Sequence, residues 1–513
     1  MTYSPILLFS GSLLLTLIIL KLFGQKYALD QPDIRKQHMG DIPQIGGLVF
    51  GPLLLFIAWW SGLAPQWYLI GGGISILLGT VDDNRHVPWQ IKFTVQLALV
   101  AYFSIIFWGH FDAITFYNLS FPVSEIGLLF IFLFWFIGIY NSVNLLDGLD
   151  GLAGSFMLLL CLGLGFSGSD SFATLNLMLS VILLGFLVFN QRPAKLFMGD
   201  AGSLFLGFHT AVLPLLFFES IPTVKTLNMT PFVLLASYLV ADTTRVFITR
   251  LLAKKNPMTA DTIHFHHLIL QQSGSYLASI GFILLITLLS VIGGIISFYT
   301  ELSSNMMLVY FAILLLFILT PPVQTYVPVF TNLIGPLYNW QKGSQKTSPL
   351  FLRTIFLSAL LIGLIFSLSL YCNLSIISWQ HGLAVILLFI FIFFYRKDQM
   401  AKYVIQLGLV LFFAELYWNT ELGIITKLFT IFLLISYLVF TLEKRSGCNI
   451  SKFSTLDLLL ILITLGGVTL ALLGFPVSIW YFLTMFSLWF GTSFLLNRTI
   501  SYTESVERIP ALR

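Results

Sequence analysis

Residues 124–152 read SEIGLLFIFLFWFIGIYNSVNLLDGLDGL, an apolar run followed at once by a polar one. The apolar part, up to about residue 140, is long enough to cross a hydrocarbon core of about 30 Å as a helix. Placing carboxylates this close to hydrocarbon costs free energy, so such residues are candidates for a functional role. The stretch therefore predicts a membrane helix that ends in a functional site.

The rest of the chain has the same character. Its 513 residues are 58% hydrophobic and 9% charged, whereas soluble proteins carry about 25% charged residues. The apolar runs predict an all-α, polytopic transmembrane protein with about 17 spans. The segment 5–23 follows a start without Lys or Arg, which favours a first membrane helix over a cleaved signal peptide. Three scattered cysteines argue against a disulfide framework, and no nucleic-acid-binding signature is present.

The positive charges are unevenly placed. If the N-terminus lies outside and the spans alternate, the loops that hold most of the 26 Lys and Arg residues fall on one side. The positive-inside rule identifies that side as cytoplasmic. The polar motifs described next fall on the same side, so we expect the functional site to face the cytoplasm.

The polar half of the opening stretch has a regular spacing. Asn141, Asn144, Asp147 and Asp150 recur every third residue, which makes each a neighbour of the next on a helical turn. Asn and Asp oxygens suit Mg²⁺, which takes one or two protein ligands together with substrate phosphate oxygens. The motif therefore predicts a site of oxygen ligands, with a capped loop as the alternative.

A pair of adjacent acids ends another predicted span. Asp82 and Asp83 are followed by Lys92 at the start of the next span. Adjacent residues at a helix end point in different directions, so one acid can serve a metal or substrate while the other holds a basic partner. A turn with solvated acids is the alternative.

A third motif, FNQRPAKLFMGDAGS, covers residues 189–203. Asp200 lies between glycines at a predicted helix start, where backbone N–H groups and the helix dipole attract phosphate. Arg192 and Lys195 add positive charge nearby. The motif favours a phosphate-binding turn.

Three of the eight histidines, His264, His266 and His267, fall within four residues. No cysteine lies nearby, and no carboxylate has the helical spacing from a histidine pair that zinc sites use. We therefore expect these histidines to donate hydrogen bonds to phosphate.

Together the motifs resemble the polyprenyl-phosphate N-acetylhexosamine-1-phosphate transferases, the family that contains the MraY and WecA enzymes. The resemblance covers roughly residues 20–320 and includes the loop 30–47, DQPDIRKQHMGDIPQIGG. The HxHH arrangement of the histidines and Ala201 in the motif MGDAGS are similar to the WecA-type branch.

The resemblance implies an activity. An N-acetylhexosamine-1-phosphate, with N-acetylglucosamine as the expected sugar, passes from a UDP-sugar to undecaprenyl phosphate and UMP is released, which begins a lipid-linked cell-envelope glycan such as the O antigen of lipopolysaccharide. It implies Mg²⁺, replaceable by Mn²⁺, held by Asn144 and Asp200. Asp147 and Asp150 would complete the nucleotide pocket, and Asp82 or Asp83 would activate or position the lipid phosphate. The implied substrate-binding residues are Lys36, Lys92, Asn141, Asn190, Lys195, His264, His266 and His267.

The resemblance also implies a location. We expect a multi-pass protein of the bacterial inner membrane, in contact with membrane lipid, with a cytoplasmic active site. A homodimer and a monomer are both open, and so are direct attack by the lipid phosphate and a covalent aspartyl intermediate.

The sequence departs from the family in two places. Thr262 stands where many WecA-like relatives carry a basic residue, in the connection that helps to choose the sugar. Residues 331–513 add roughly six predicted helices beyond a catalytic domain at 1–330, and they carry no recognisable motif. A transporter or flippase of lipid-linked sugars is the alternative function. It would place polar residues along the spans near midplane, whereas here the acids and histidines concentrate at one membrane face.

Overall fold

The computed structural model describes most of the chain up to residue 299 and a smaller part after it. The described ranges are 4–24, 29–30, 41–116, 119–165, 170–221, 225–252, 254, 264–273, 276–299 and 454–472, with isolated positions between 383 and 411. Lys36 and Thr262 lie outside the described residues.

Helices dominate the described part, because inside hydrocarbon a helix satisfies the backbone N–H and C=O groups of its own segment. Six described helices are long and apolar enough to cross a membrane. This confirms a membrane-embedded helical protein, while the total of about 17 spans stays a prediction. The helices are α1 (Pro5–Phe23), α2 (Gly47–Trp60), α3 (Gln66–Arg85), α4 (Trp89–Ile106), α5 (Glu125–Leu146), α6 (Leu152–Gly165), α7 (Ser171–Asn190), α8 (Gly199–Glu219), α9 (Thr230–Leu235), α10 (Ser237–Leu252), α11 (Phe265–Ser273), α12 (Tyr276–Tyr299) and α13 (Thr455–Leu472).

Two features differ from the all-helical expectation. The apolar run at 230–248, which the sequence predicts to be one continuous span, is divided into α9 and α10 at Ala236. Short strands also join loops that are distant in sequence. β1 (Leu29–Asp30) pairs antiparallel with β2 (Ile42–Pro43). β3 (Ala113–Phe116) pairs antiparallel with β4 (Leu119–Pro122) and parallel with β5 (Thr226–Asn228).

α8 forms the centre of the core. It packs against α3 and α5. In the apolar stretch of α8 that is long enough to cross a membrane, 89% is buried inside the protein, whereas the figure for α5 is 39%. The outer face of α5 exposes Ile126, Phe130 and Phe134. Such a face is favourable when lipid, not water, covers it.

α3 and α8 run in opposite directions, which brings the end of one beside the start of the other. Asp83 near the end of α3 bonds to Asp200 at the start of α8, while Trp67 at the start of α3 donates to Glu219 at the end of α8. The end of the molecule that holds Glu219 also holds the β3–β4–β5 sheet, beside which Lys225 Nζ lies 4.0 Å from Asp112 Oδ2.

Close backbone packing holds the motif end together. Gly47 of α2 and Gly79 of α3 both lie against the first turn of α8, and a Cβ on either would overlap backbone atoms of Ala201 or Gly202. Small residues permit this approach of helix backbones inside a membrane.

The chain forms two compact units, one from residues 1–338 and 453–478, the other from 339–452 and 479–513. In the first unit α13 packs against α12, so a helix from the region beyond residue 330 lies with the motif-bearing helices. The division at residue 330 stays a prediction. The second unit contributes only isolated helical positions to the described residues.

Candidate active site

A cavity of about 380 Å³ opens where the polar motifs meet. It brings together side chains from loops and helix ends that are far apart in sequence. Its described lining is Asp30, Gln44, Asp82, Asp83, His86, Asn144, Asp147, Gly148, Leu149, Asp150, Asn190, Arg192, Phe197, Gly199, Asp200, His267 and Tyr276. The structure therefore places members of all four predicted motifs in one site.

Asp82 is held by a basic partner. Its side chain is buried, accepts a hydrogen bond of 2.7 Å from the backbone N–H of Val87, and forms an ion pair with Lys92. The Lys92 ammonium also lies 3.5 Å from Asp200 Oδ2. Lys92 thus reduces the repulsion between two acids on different helices.

Asp83 holds the start of α8. Its two carboxylate oxygens accept hydrogen bonds from the backbone N–H groups of Asp200 and Ala201, at 2.7 and 3.1 Å. Gly199 has a φ of +69°, and a Cβ there would lie 2.7 Å from Asp83 Oδ2. A carboxylate at a helix N-terminus satisfies free N–H groups and complements the helix dipole.

The Asn-Asp motif at the end of α5 supplies oxygen atoms to the same cavity. Ser203 Oγ donates a hydrogen bond of 2.6 Å to Asn144 Oδ1, and the backbone N–H of Ala194 donates one of 3.2 Å to Asp150 Oδ2. Burial, followed by the nearby charge of Asp150, raises the pKa of Asp147 to about 7. The acids of this cavity repel one another, so a bound cation would stabilise their charged forms.

These donors fit a metal that shares its coordination with substrate. The described residues contain no ready-made group of three or more His, Cys, Asp or Glu side chains for a metal ion. Mg²⁺ does not require one, because it takes few protein oxygens and keeps water or phosphate oxygens as its other ligands. Asn144 and Asp200, which both line the cavity, are oxygen donors of the type Mg²⁺ prefers.

Two amides that are predicted to bind substrate have hydrogen-bond partners within the protein. Asn141 and Gln96 exchange hydrogen bonds of 3.0 and 3.2 Å, and Asn141 is not among the described residues that line the cavity. Asn190 lines it, but its Oδ1 accepts from Gly151 N and its Nδ2 donates to the carbonyl of Leu196. Both amides are therefore placed to hold the protein's own segments together.

The predicted lysines differ in position. Lys92 reaches Asp82 and Asp200, whereas Lys195 is exposed and is not among the described residues that line the cavity. The third lysine, Lys36, lies outside the described residues.

The histidines form a row of rings beside the cavity. His267 lines it, and its ring centroid lies 4.2 Å from that of His266, which in turn stacks on His264 at 5.8 Å. Burial, followed by the charge of His267, lowers the pKa of His266 to about 3. Burial thus favours the neutral form of His266, which can still donate one hydrogen bond.

The sequence motifs assign no role to Tyr276, which lines the cavity, or to Asp242, which lies outside its described lining. The Arg192 guanidinium lies 4.4 Å over the ring of Tyr276, whose hydroxyl donates to the carbonyl of Asp150. The sequence around Tyr276 does not indicate a functional role, because this residue opens an apolar run. The sequence does indicate one for Asp242, which contacts His264, since it is an acid inside a predicted membrane span.

Comparison with known proteins agrees with this geometry. The Glycosyl transferase family 4 model matches residues 66–218, which include most of the lining residues. A probable undecaprenyl-phosphate N-acetylglucosaminyl 1-phosphate transferase of Bacillus subtilis is 32% identical over 297 residues, 55% of this chain and 81% of the relative. An undecaprenyl-phosphate alpha-N-acetylglucosaminyl 1-phosphate transferase of Thermotoga maritima is 31% identical over 260 residues, 50% of this chain and 78% of the relative.

A phospho-N-acetylmuramoyl-pentapeptide-transferase of Staphylococcus carnosus is 33% identical over 219 residues, 36% of this chain and 65% of the relative. Relatives of both named activities therefore align, and the two N-acetylglucosaminyl transferases align over more of their own length. The predicted resemblance is confirmed: the chain belongs to the polyprenyl-phosphate N-acetylhexosamine-1-phosphate transferase family, within glycosyl transferase family 4.

Proposed function

We propose that this protein transfers N-acetylglucosamine-1-phosphate from UDP-N-acetylglucosamine to undecaprenyl phosphate and releases UMP. One observation carries the proposal. The acids and amides of separate motifs, among them Asp83, Asn144, Asp147 and Asp200, line a single cavity at the end of membrane helices. A water-soluble nucleotide and a lipid headgroup meet at such a position. The names of the Bacillus subtilis and Thermotoga maritima relatives support the choice of sugar and lipid.

The chemistry is phosphoryl transfer. An oxygen of the lipid phosphate attacks the phosphorus that carries the sugar, the bond from that phosphorus to the bridging oxygen breaks, and UMP leaves with the bonding electrons. Catalysis of this kind depends on positioning and charge stabilisation, with little covalent work for the protein. A phosphate monoester, with a second pKa of about 6, is already largely dianionic at neutral pH, so a strong base is not required.

The contacts of the two adjacent acids favour direct attack. Both oxygens of Asp83 accept backbone N–H groups, and Asp82 is paired with Lys92. Carboxylates engaged in this way are poor nucleophiles. In this mechanism Asp83 fixes the first turn of α8. Lys92 provides positive charge to the substrate phosphates, which compete with Asp82 and Asp200 for its ammonium group.

Mg²⁺ would be held by Asn144 and Asp200, where it would neutralise charge on the diphosphate of the nucleotide sugar. Ser203 fixes the orientation of Asn144 through its 2.6 Å hydrogen bond. The backbone of Asp200 is fixed by Asp83. The two ligands are thus each oriented by a neighbouring side chain.

The site would face the cytoplasm from the inner membrane of a bacterium. The excess of Lys and Arg in the loops on the motif side supports this orientation. Nucleotide sugars enter from that side, and the phosphate of the lipid lies at the same surface.

The test is a substrate panel. Purified protein with undecaprenyl phosphate and Mg²⁺ receives UDP-N-acetylglucosamine, UDP-N-acetylgalactosamine, UDP-glucose or UDP-N-acetylmuramoyl-pentapeptide, and both UMP and lipid-linked product are measured. We expect turnover with UDP-N-acetylglucosamine. Turnover with only another sugar would correct the substrate. Movement of lipid-linked sugar across vesicles without UMP release would support the flippase alternative.

A further inference from the structure

The histidine cluster is held by a side chain from another helix. Asp242, in the second turn of α10, is 6% exposed. Its Oδ2 lies 3.0 Å from His264 Nδ1, and its Oδ1 accepts a hydrogen bond of 3.0 Å from the backbone N–H of Phe265. Arg245 donates a further hydrogen bond of 3.0 Å to Oδ1. A single carboxylate thus connects a histidine, a helix start and a cation.

The contact with Phe265 fixes the position of α11. This helix begins at Phe265, so Asp242 accepts one of the N–H groups that have no partner within the helix. His266 and His267 follow in the same turn, and Ser279 Oγ donates to the carbonyl of His266 at 2.9 Å. The placement of these two histidines therefore depends on α10 and α12.

The cluster lies directly against the cavity wall. A Cβ on Gly148, a lining residue, would lie 2.6 Å from His266 Nε2 and 3.1 Å from His267 Nε2. On the other side, Thr243 Oγ1 and Ser142 Oγ are 2.7 Å apart, which ties α10 to α5. Asp242 is therefore carried by a helix that is fixed to the one bearing the Asn-Asp motif.

The contact with His264 determines its hydrogen-bonding character. A carboxylate at Nδ1 keeps the proton on that nitrogen, so Nε2 accepts when the ring is neutral and donates when it is protonated. Among the described residues, His264 Nε2 and both ring nitrogens of His266 are buried without a hydrogen-bond partner. Buried polar atoms are normally satisfied, so a ligand or water is expected there.

We propose that Asp242 is a positioning residue for the transfer reaction: it orients His264 and anchors the start of α11, so that the histidine cluster faces the diphosphate and sugar of the nucleotide substrate. The inference rests on the proposed function for its activity readout. It assigns a role to an acid outside the cavity lining.

Two substitutions separate the two contacts of Asp242. Asp242→Asn keeps an oxygen that can accept the Phe265 N–H but removes the charge opposite His264, whereas Asp242→Ala removes both. Carboxylates that orient metal-binding histidines contribute about 10- to 100-fold to activity, and we expect the same order of effect for a histidine that contacts a phosphate. We expect Asp242→Asn to lower kcat for UMP release by about tenfold or more. Thr249→Ala, on the exposed face of the same helix, should leave kcat unchanged.

A double-mutant cycle distinguishes positioning from general destabilisation. If Asp242 acts through His264, Asp242→Asn adds no further loss of kcat in a His264→Ala background. The inference would be overturned if the kcat losses of the two single variants multiplied in the double variant. It would also be overturned if Asp242→Asn kept the wild-type kcat.

Hydrogen exchange of residues 265–273 gives a readout that needs no activity. It should rise in Asp242→Ala and rise less in Asp242→Asn. Unchanged exchange in Asp242→Ala would contradict the anchoring of α11. If wild-type protein released no UMP from any nucleotide sugar, the proposed function would fall, while the exchange result would still decide whether Asp242 anchors the helix.

Discussion

The carboxylate of Asp83 accepts the backbone N–H of Asp200 at 2.7 Å, although 117 positions separate the two residues in sequence. The second oxygen accepts the N–H of Ala201. One acid of the adjacent pair therefore positions another acid of the cavity, and the end of α3 fixes the start of α8.

We predict that Asp83→Asn lowers both stability and activity. The substitution replaces one acceptor oxygen by an N–H₂ group that faces a backbone donor. Loss of a helix cap lowers the free energy of unfolding by about 1 kcal/mol. Thermal unfolding in detergent and UMP release measure the two effects. Asp112→Asn, an exposed acid at the opposite end of the helices, is the matched control and should change neither. Wild-type stability in Asp83→Asn would contradict the capping role.

Asp200→Asn should lower Mg²⁺-dependent UMP release by about 100-fold or more, because it removes the charged metal ligand while leaving the backbone N–H that Asp83 accepts. Size-exclusion elution and thermal unfolding should stay close to those of the wild type. Full activity at saturating Mg²⁺ would refute the assignment of Asp200 to the metal.

Ser203→Ala should raise the Mg²⁺ concentration needed for half-maximal activity by about tenfold, because Asn144 loses the hydroxyl that orients it. A Mg²⁺ titration of UMP release measures this shift. Ser155→Ala is a suitable control, since Ser155 Oγ is buried and has no hydrogen-bond partner among the described residues. Equal Mg²⁺ requirements in the two variants would exclude a role for Ser203 in metal binding.

Stability without metal should depend on pH through Asp147. Burial raises its pKa from an ordinary 3.8 to about 7, so the folded state binds this proton more tightly than the unfolded state. The free energy of unfolding therefore falls as the pH rises from about 4 to about 7. Thermal unfolding in EDTA should give a lower Tm at pH 8 than at pH 6. Asp147→Asn should reduce that difference, whereas Asp112→Asn should retain it.

Asn141→Ala should destabilise the protein by about 1–3 kcal/mol, since it leaves the buried amide of Gln96 without its partner. The KM for the nucleotide sugar should stay near the wild-type value. Gln96→Ala should have a similar effect, and the two losses should not add. A large rise in KM without loss of stability would instead support the substrate-binding role that the sequence predicts for Asn141.

The sequence predicted the helical membrane fold and the convergence of its motifs because both depend on local properties. Span length and charge bias placed Asp83, Asn144 and Asp200 on one membrane face before any contact was known. The partners of individual side chains depend on packing between distant segments. The pairing of β3 with β5 joins loops more than 100 residues apart, and the bond from Asp242 to His264 crosses between helices. The hydrophobic periodicity of the sequence does not indicate either of these two contacts.

The glycine contacts between helices set a limit on what this site does during a reaction. Gly79 and the first turn of α8 meet backbone to backbone, so Asp83 and Asp200 cannot separate unless the core of the first unit is unpacked. The protein therefore keeps these two carboxylates at a fixed separation, and the phosphates must come to them.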